Sequence, residues 1–290
     1  MRLLNKICIG VFVITAISLL FAVVSSTTLA KSIDEPMDKD VNASKAWEEL
    51  KQLAEKQKIS DEQQIIASVS EHYKKLKDSG RIPVIDSPTK INLKDASANL
   101  YTASDVGPVS TLSTKYWVND HDFGHNYILY GVGAQYIQIY EPSGCRLRNL
   151  ANVVGGGAGG IDAWGWSGTT FTWNGPTGNY NIAFDGWKSG YTTAYGTYAS
   201  ASTSIDCCVL DHTTNNVNSQ NDYSRSVSGI GYESVNQAVA RNFVAQLVNG
   251  RSYSIYIKVD GQAITYGAGS CASDFYTNPA GLWFYSATIS

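Results

Sequence analysis

The stretch Leu247–Val259, LVNGRSYSIYIKV, decides the reading of the fold. Tyr253, Ile255, Ile257 and Val259 alternate with Ser252, Ser254, Tyr256 and Lys258. This is the period-two pattern of a strand buried on one face. Asn249-Gly250 precedes it and supplies the positive φ that lets the backbone turn into the strand.

Leu247, Gly250 and Tyr253 fall at the spacing L-x-x-G-x-x-Y. That spacing resembles the tyrosine corner of immunoglobulin-like sandwiches, which implies that the Tyr253 hydroxyl bonds to the backbone a few residues upstream. A weaker echo lies at Thr177–Phe184, where Gly178 and Tyr180 open the alternation Tyr180, Ile182, Phe184. Two such corners predict a mainly β chain, an antiparallel β-sandwich of immunoglobulin-like or jelly-roll-like type.

Working outward, six of the 7 Trp and seventeen of the 18 Tyr lie beyond residue 100, with most of the Gly, Ser and Thr. Short alternating runs separated by Gly, Asn, Asp and Pro, with no interleaved helices, assign 111–290 to the sandwich. If it is built as two stacked sub-units, the break falls near 211–225. Val235, Val239, Phe243 and Leu247 also satisfy helical spacing, but the corner that follows favours strand there.

Residues 31–81 differ in kind. The stretch from Lys31 to about Asp95 holds about half of the Asp, Glu, Lys and Arg in under a quarter of the length. Trp47, Leu50, Leu53 and Ala54 share one helical face, and Ile65, Ile66, Val69, Tyr73 and Leu76 another. The spacing predicts two amphipathic helices, the second capped by Ser60 with Gln63 and stopped by Gly80 and Pro83. Their roles rank as packing on the sandwich, a removable pro-region, and oligomerisation. Residues 82–110, with Pro83, Pro88 and Pro108, read as a linker.

Residues 1–30 place Arg2 and Lys6 ahead of an apolar run from Ile7 to Val24 and then Thr28-Leu29-Ala30. This predicts a signal peptide, with an uncleaved anchor as the alternative. No second span follows, so the expected mature chain is secreted or held at the cell surface and is not an integral membrane protein. A formal net charge of -3 over 290 residues leaves no basic footprint for nucleic acid. Past Cys8, the even set Cys145, Cys207, Cys208 and Cys271 predicts disulfides in an exported chain.

Chemistry concentrates in three places. Asp120, Asp122 and Asn126 alternate around Gly124 and suggest a calcium loop, the first cofactor the sequence brings forward. His121, His125 and His212 are the histidines of the sandwich and supply a transition-metal alternative. Trp164, Trp166 and Trp187, beside Asp162 and Asp185, pair indole faces with carboxylates, as a sugar ring and its hydroxyls require. The glycine run Gly155–Gly160 lacks the flanking strand, helix and Lys-Ser/Thr of a phosphate loop. There is no Gly-x-Ser-x-Gly elbow.

The reading that follows is a non-enzymatic binding module for glycans or a cell-envelope surface. A secreted hydrolase or metal enzyme built on the three histidines is the alternative from another class. A structural or assembly protein is the third.

Overall fold

A computed structural model describes residues 38–94, 113–118, 120–129, 134–141 and 145–290. The signal-peptide reading, Cys8, residues 95–110 of the linker and the side chains of Asp120, His125 and Asn126 lie outside the described residues. The chain divides into Met1–Ala46, of which only helical residues 38–46 are described, and Trp47–Ser290.

The described order is helix α1 (Asp38–Asp78), then β1 (Val84–Ile85), β2 (Thr89–Lys94), β3 (Ser113–Val118), β4 (Asp120–Leu129), β5 (Ala134–Glu141), β6 (Arg146–Trp173), β7 (Gly178–Asp211), β8 (Asn216–Val239), β9 (Asn242–Leu247), β10 (Arg251–Asp274) and β11 (Gly281–Ile289). The chain is mainly β and largely antiparallel, preceded by helix, as the alternation predicts. All the described strands belong to one hydrogen-bonded sheet.

Both tyrosine corners are present. The Tyr253 hydroxyl accepts the Val248 N–H at 2.8 Å, and the Tyr180 hydroxyl donates to the Pro176 carbonyl at 2.8 Å. Gly250 has φ +79°, the turn conformation expected of it.

The sheet becomes a sandwich by folding back on itself. In register, Lys188 of β7 faces Gln237 of β8. Asp222 lies fifteen residues earlier on β8, about 50 Å away along a straight strand at about 3.3 Å per residue. Yet Lys188 Nζ donates to Asp222 Oδ2 at 2.5 Å, so the ribbon reverses between the two levels. Thr192 and Thr203 of β7 likewise meet at 2.8 Å across eleven residues.

The crease runs through Gly196, Gly229 and Gly267, all at positive φ, beside register shifts at Tyr195/Ser200 in β7 and Thr265/Ser270 in β10. Gly157 of β6 is the partner of Gly267. Small side chains fill the inside of the fold: Ala151, Ala163, Ala194, Ala199, Ala201 and Ala263. Farther from the crease the two leaves meet over larger residues. Phe171, Tyr253, Ile255, Ile257, Ile205 and Val209 of one leaf share a core with Ile182, Phe184, Leu282 and Phe284 of the other.

Several expectations are corrected. One continuous 41-residue helix replaces the two predicted. Ser60 lies within it and its hydroxyl accepts from Gln64, because no Gly or Pro interrupts the stretch. Gly80 does end it. The Gly80 N–H bonds to the Lys77 carbonyl and Arg81 N–H to Leu76, a Schellman closure. Residues 82–94 are not simple linker, since β1 pairs with β6 and β2 with β11. Nor does a break fall at 211–225, where β7 and β8 are paired on to Asp211↔Asn216 and joined by a turn.

All four of these cysteines are buried, and Cys207, Cys208 and Cys271 are free thiols. Cys207 and Cys208 are neighbours on an extended strand, so they point to opposite faces. Cys207 enters the sandwich core, while Cys208 packs under α1. Cys145 and Cys271 donate to the carbonyls of Leu93 and Ile264.

Candidate functional site

The folded sheet has two outward faces, and α1 covers one of them. Ile65 and Val69 of the helix cluster with Trp164, Trp166, Cys208, Leu210 and Tyr256. Trp47, Leu50 and Ala54 cluster with Ile264. Trp164 and Trp166 are therefore 4% and 2% exposed, and Trp166 Nε1 donates to Ser68 Oγ of the helix at 2.9 Å. Asp162 is fully buried beside them. These three predicted ligand residues do share a face, but the helix lies over it.

The other leaf presents its outward face to solvent. Odd-numbered residues of β7 from 185 to 195 point outward, because the even ones from Ile182 to Ala194 are buried. Trp187, Tyr191 and Tyr195 thus lie along one strand four residues apart, roughly 13 Å between neighbours. Across the register, Ile230 of β8 faces Tyr195 and Tyr232 faces Thr193. Tyr232 stacks on Tyr191 at 5.7 Å. Tyr195, Tyr232 and Ile230 are 67%, 65% and 83% exposed, values unusual for side chains of this size.

On the far side of Trp187 its register partner is Trp283 of β11, whose partner is Arg146 of β6, whose partner is Glu141 of β5. The Arg146 guanidinium lies 4.7 Å over the Trp283 ring and bonds to Glu141 Oε2 at 2.9 Å. Beside this row, Arg148 lies 4.2 Å over Tyr276 and also bonds to Glu141. Tyr285, two residues on from Trp283 along β11, is exposed on the same side, at the register shift between Phe284 and Ser286.

Polar groups are interleaved with the rings. Trp187 Nε1 donates to Asn236 Oδ1 at 2.9 Å. Asp185 accepts from Ser286 at 3.3 Å and stays exposed. Tyr191 donates to Asp274 Oδ2 at 2.7 Å. Burial first, and then the Asp274 carboxylate, hold the Tyr191 hydroxyl well above its usual range, so it remains a phenol donor. Of the predicted ligand residues, Trp187 and Asp185 belong to this stripe. Tyr191, Tyr195, Tyr232, Trp283 and Tyr285 were missed. The four-residue spacing of aromatics in GWKSGYTTAYGTY is the signal that finds three members of the stripe, since on a strand it selects one face.

Asp120, Asp122 and Asn126 lie on strand β4, not on a loop, and are paired in register with Gly168, Trp166 and Asp162. Along an extended strand the outer two are about 20 Å apart, too far to converge on one ion. Asp122 instead accepts from Ser68 at 2.6 Å.

The histidines are likewise dispersed. His121 stacks on Tyr140 at 3.9 Å, on the face of β4 opposite to Asp122. His212 stacks on Tyr73 of α1 at 3.9 Å, and its Nε2 bonds with Ser254 Oγ at 2.8 Å. Burial pushes the His212 imidazole down to about 4, so it is neutral at physiological pH. Among the described residues no group of three or more His, Cys, Asp or Glu is arranged to hold a metal.

A polar hollow of about 350 Å³ opens beside α1, lined by Lys58, Glu62, Asp206, Arg225, Lys258 and Asp260 among serines and Thr203. Among the described residues no helix is long and apolar enough to cross a membrane.

No protein-family model matches the chain, and no curated protein matches it. Among solved structures it is similar to TmCBM61 in complex with β-1,4-galactotriose, at 10% identity and TM-score 0.20, over 57% of this chain and 86% of that one. It is also similar to the CBM22-1–GH10 modules of the Clostridium thermocellum endo-1,4-β-D-xylanase 10B with xylohexaose, at 9% identity and TM-score 0.18, over 58% and 26% of the two chains. A third is the enzymatically active domain of bacteriophage CBA120 tailspike protein 4, at 9% identity and TM-score 0.22, over 57% and 19%. At such scores nothing about function is carried over from them.

Proposed function

We propose that the chain is an exported, non-enzymatic glycan-binding protein, and that an extended polysaccharide lies along the open stripe of β7 and its neighbours. One observation carries the reading: Trp187, Tyr195 and Tyr232 are exposed on a single face, in line with a strand, where folding alone would bury such rings. Each aromatic face offers an apolar surface to a sugar ring. Asn236, Asp185, Glu141 and Arg146 stand beside the rings as hydroxyl partners. The face is open, not a closed pocket, and so suits a polymer threaded past it more than a small molecule enclosed within it. Export rests on the N-terminal sequence.

Affinity electrophoresis against a panel of soluble polysaccharides tests this. The wild-type chain is expected to be retarded by at least one of them. Trp187→Ala, Tyr195→Ala and Tyr232→Ala combined should abolish the retardation at unchanged thermal midpoint, and Trp164→Phe should not. Retention that survives the triple substitution, or its absence across the panel, overturns the reading.

A further inference from the structure

The contact between α1 and the sheet is apolar at both ends and acidic in the middle. Asp61 of the helix, 0% exposed, lies between the Trp47–Leu50–Ala54 patch and the Ile65–Val69 patch. The Ala54–Gln262 and Glu62–Lys258 contacts set this part of the helix over β10, at the level of Asp260, register partner of Trp164, and of Asp162 of β6, also 0% exposed. Neither oxygen of Asp162, nor Oδ1 of Asp260, has a hydrogen-bond partner. Gln262, the register partner of Asp162, donates its amide to the Ala54 carbonyl of the helix at 3.0 Å.

The nearby cations are engaged elsewhere. Lys258 of β10 lies between Glu62 of α1, at 3.3 Å, and Asp206 of β7, at 3.6 Å. Lys58 of α1 pairs with Glu55 at 3.6 Å. Arg225 of β8, at the rim of the hollow, donates to the Ser224 carbonyl. Asp122 of β4 is bonded to Ser68 farther along the helix.

We propose that α1 from Trp47 onward is a proton-controlled cover: it stays docked while Asp162 and Asp260, beside Asp61, hold their protons, and lifts as they ionise, baring Trp164, Trp166 and Tyr256. The physical reason is that three carboxylates gathered at this contact, Asp61 and Asp162 fully buried and Asp260 at the edge of the polar hollow, cannot all carry charge, whereas water solvates each of them once the helix leaves.

The direction of the effect follows from the same burial. Burial first, then the charges of Asp260 and Asp61, push the Asp162 carboxyl up to about 9, with Gln262 and Lys58 acting the other way. Burial and Asp61 push Asp260 up to about 7, against Lys258 and Lys58. The docked form therefore binds protons that the undocked form releases. Docking is tightest in acid, below the ordinary carboxylate range, and weakens as pH rises toward about 9. Each proton so held makes the docking constant fall about tenfold per pH unit.

Hydrogen exchange on the full chain, corrected for the intrinsic pH dependence of exchange, tests the proposal. Between pH 5.5 and 8.5, amides of residues 47–78 should lose protection by at least about a hundredfold while those of β10 and β7 keep theirs. Asp162→Asn with Asp260→Asn, which imitate the protonated side chains, should flatten that dependence. If the pair fails to fold, seen as lost protection of β10, Asp61→Asn applies the same test from the helix side. Equal helix protection at the two pH values, or a pH dependence undiminished in the amide variants, overturns the proposal.

Discussion

The hydroxyl of Tyr253 accepts the backbone N–H of Val248 at 2.8 Å, tying the start of β10 to the end of the preceding strand. Both the ring and Leu247 are buried, and Gly250 between them takes the positive φ that makes the approach possible. Tyr253→Phe keeps the packed ring and removes only this acceptor. The expected cost is about 1 kcal/mol, that of one partly buried backbone donor left unpaired. It should appear in urea unfolding as a lower midpoint at unchanged slope. An unchanged midpoint would mean that the corner contributes shape without stability.

That corner was legible because it depends on residues six apart in sequence. So was the alternation that makes β10 a strand. The crease was not, because it depends on bulges that change which residues face inward. Outward-facing Trp187 and buried Lys188 are the reverse of what hydropathy suggests. The covering of Trp164 and Trp166 escaped for a related reason: their strand pattern places them on a shared face but does not say that a helix about a hundred residues earlier lies over it. The cysteine pairing failed because the outward reach of Cys207 and Cys208 does not end on the other two thiols: Cys208 and Cys271 lie in separate clusters, and Cys145 and Cys271 bond to the carbonyls of Leu93 and Ile264.

The buried Lys188 staples the two leaves together through Asp222, which Arg241 also reaches at 3.1 Å from a more exposed position. Lys188→Met strands the Asp222 carboxylate in the core with one remaining partner. The expected loss is about 3 kcal/mol, at the low end for a broken buried pair because Arg241 persists. Adding Asp222→Leu should restore part of it, since an apolar pair of similar volume needs no partner. A double-mutant cycle in chemical denaturation measures the coupling. Additive losses would show that the pair does not join the leaves.

Burial holds the Cys208 and Cys271 thiols up at about 12 and raises Cys207 well above its ordinary range. Thiolate is the reactive form, so these sulfurs should be inert in the folded chain. With Cys8→Ser in place, a thiol-specific aromatic disulfide reagent should label none of Cys145, Cys207, Cys208 and Cys271 natively and all of them in guanidinium. A reductant should leave the thermal midpoint where it is. Unlabelled thiols under denaturing, non-reducing conditions would show disulfides and undo the assignment of Cys207, Cys208 and Cys271 as thiols.

Gly186 separates the architecture of the stripe from its chemistry. A Cβ at this position would lie 2.2 Å from the Trp283 carbonyl oxygen, a backbone atom that cannot move aside without shifting β11. Gly186→Ala should therefore disturb the β7–β11 pairing that sets Trp187 beside Trp283, and cost about 1–3 kcal/mol as an overpacked contact. Trp187→Ala, by contrast, removes a side chain 38% exposed and should leave stability nearly unchanged. The two variants are then expected to lose polysaccharide retention together while only Gly186→Ala lowers the melting temperature. If Gly186→Ala is destabilised yet retains the polysaccharide, the Trp187–Trp283 alignment is not what the ligand reads, and binding must be sought toward the Tyr195–Tyr232 end of the strand.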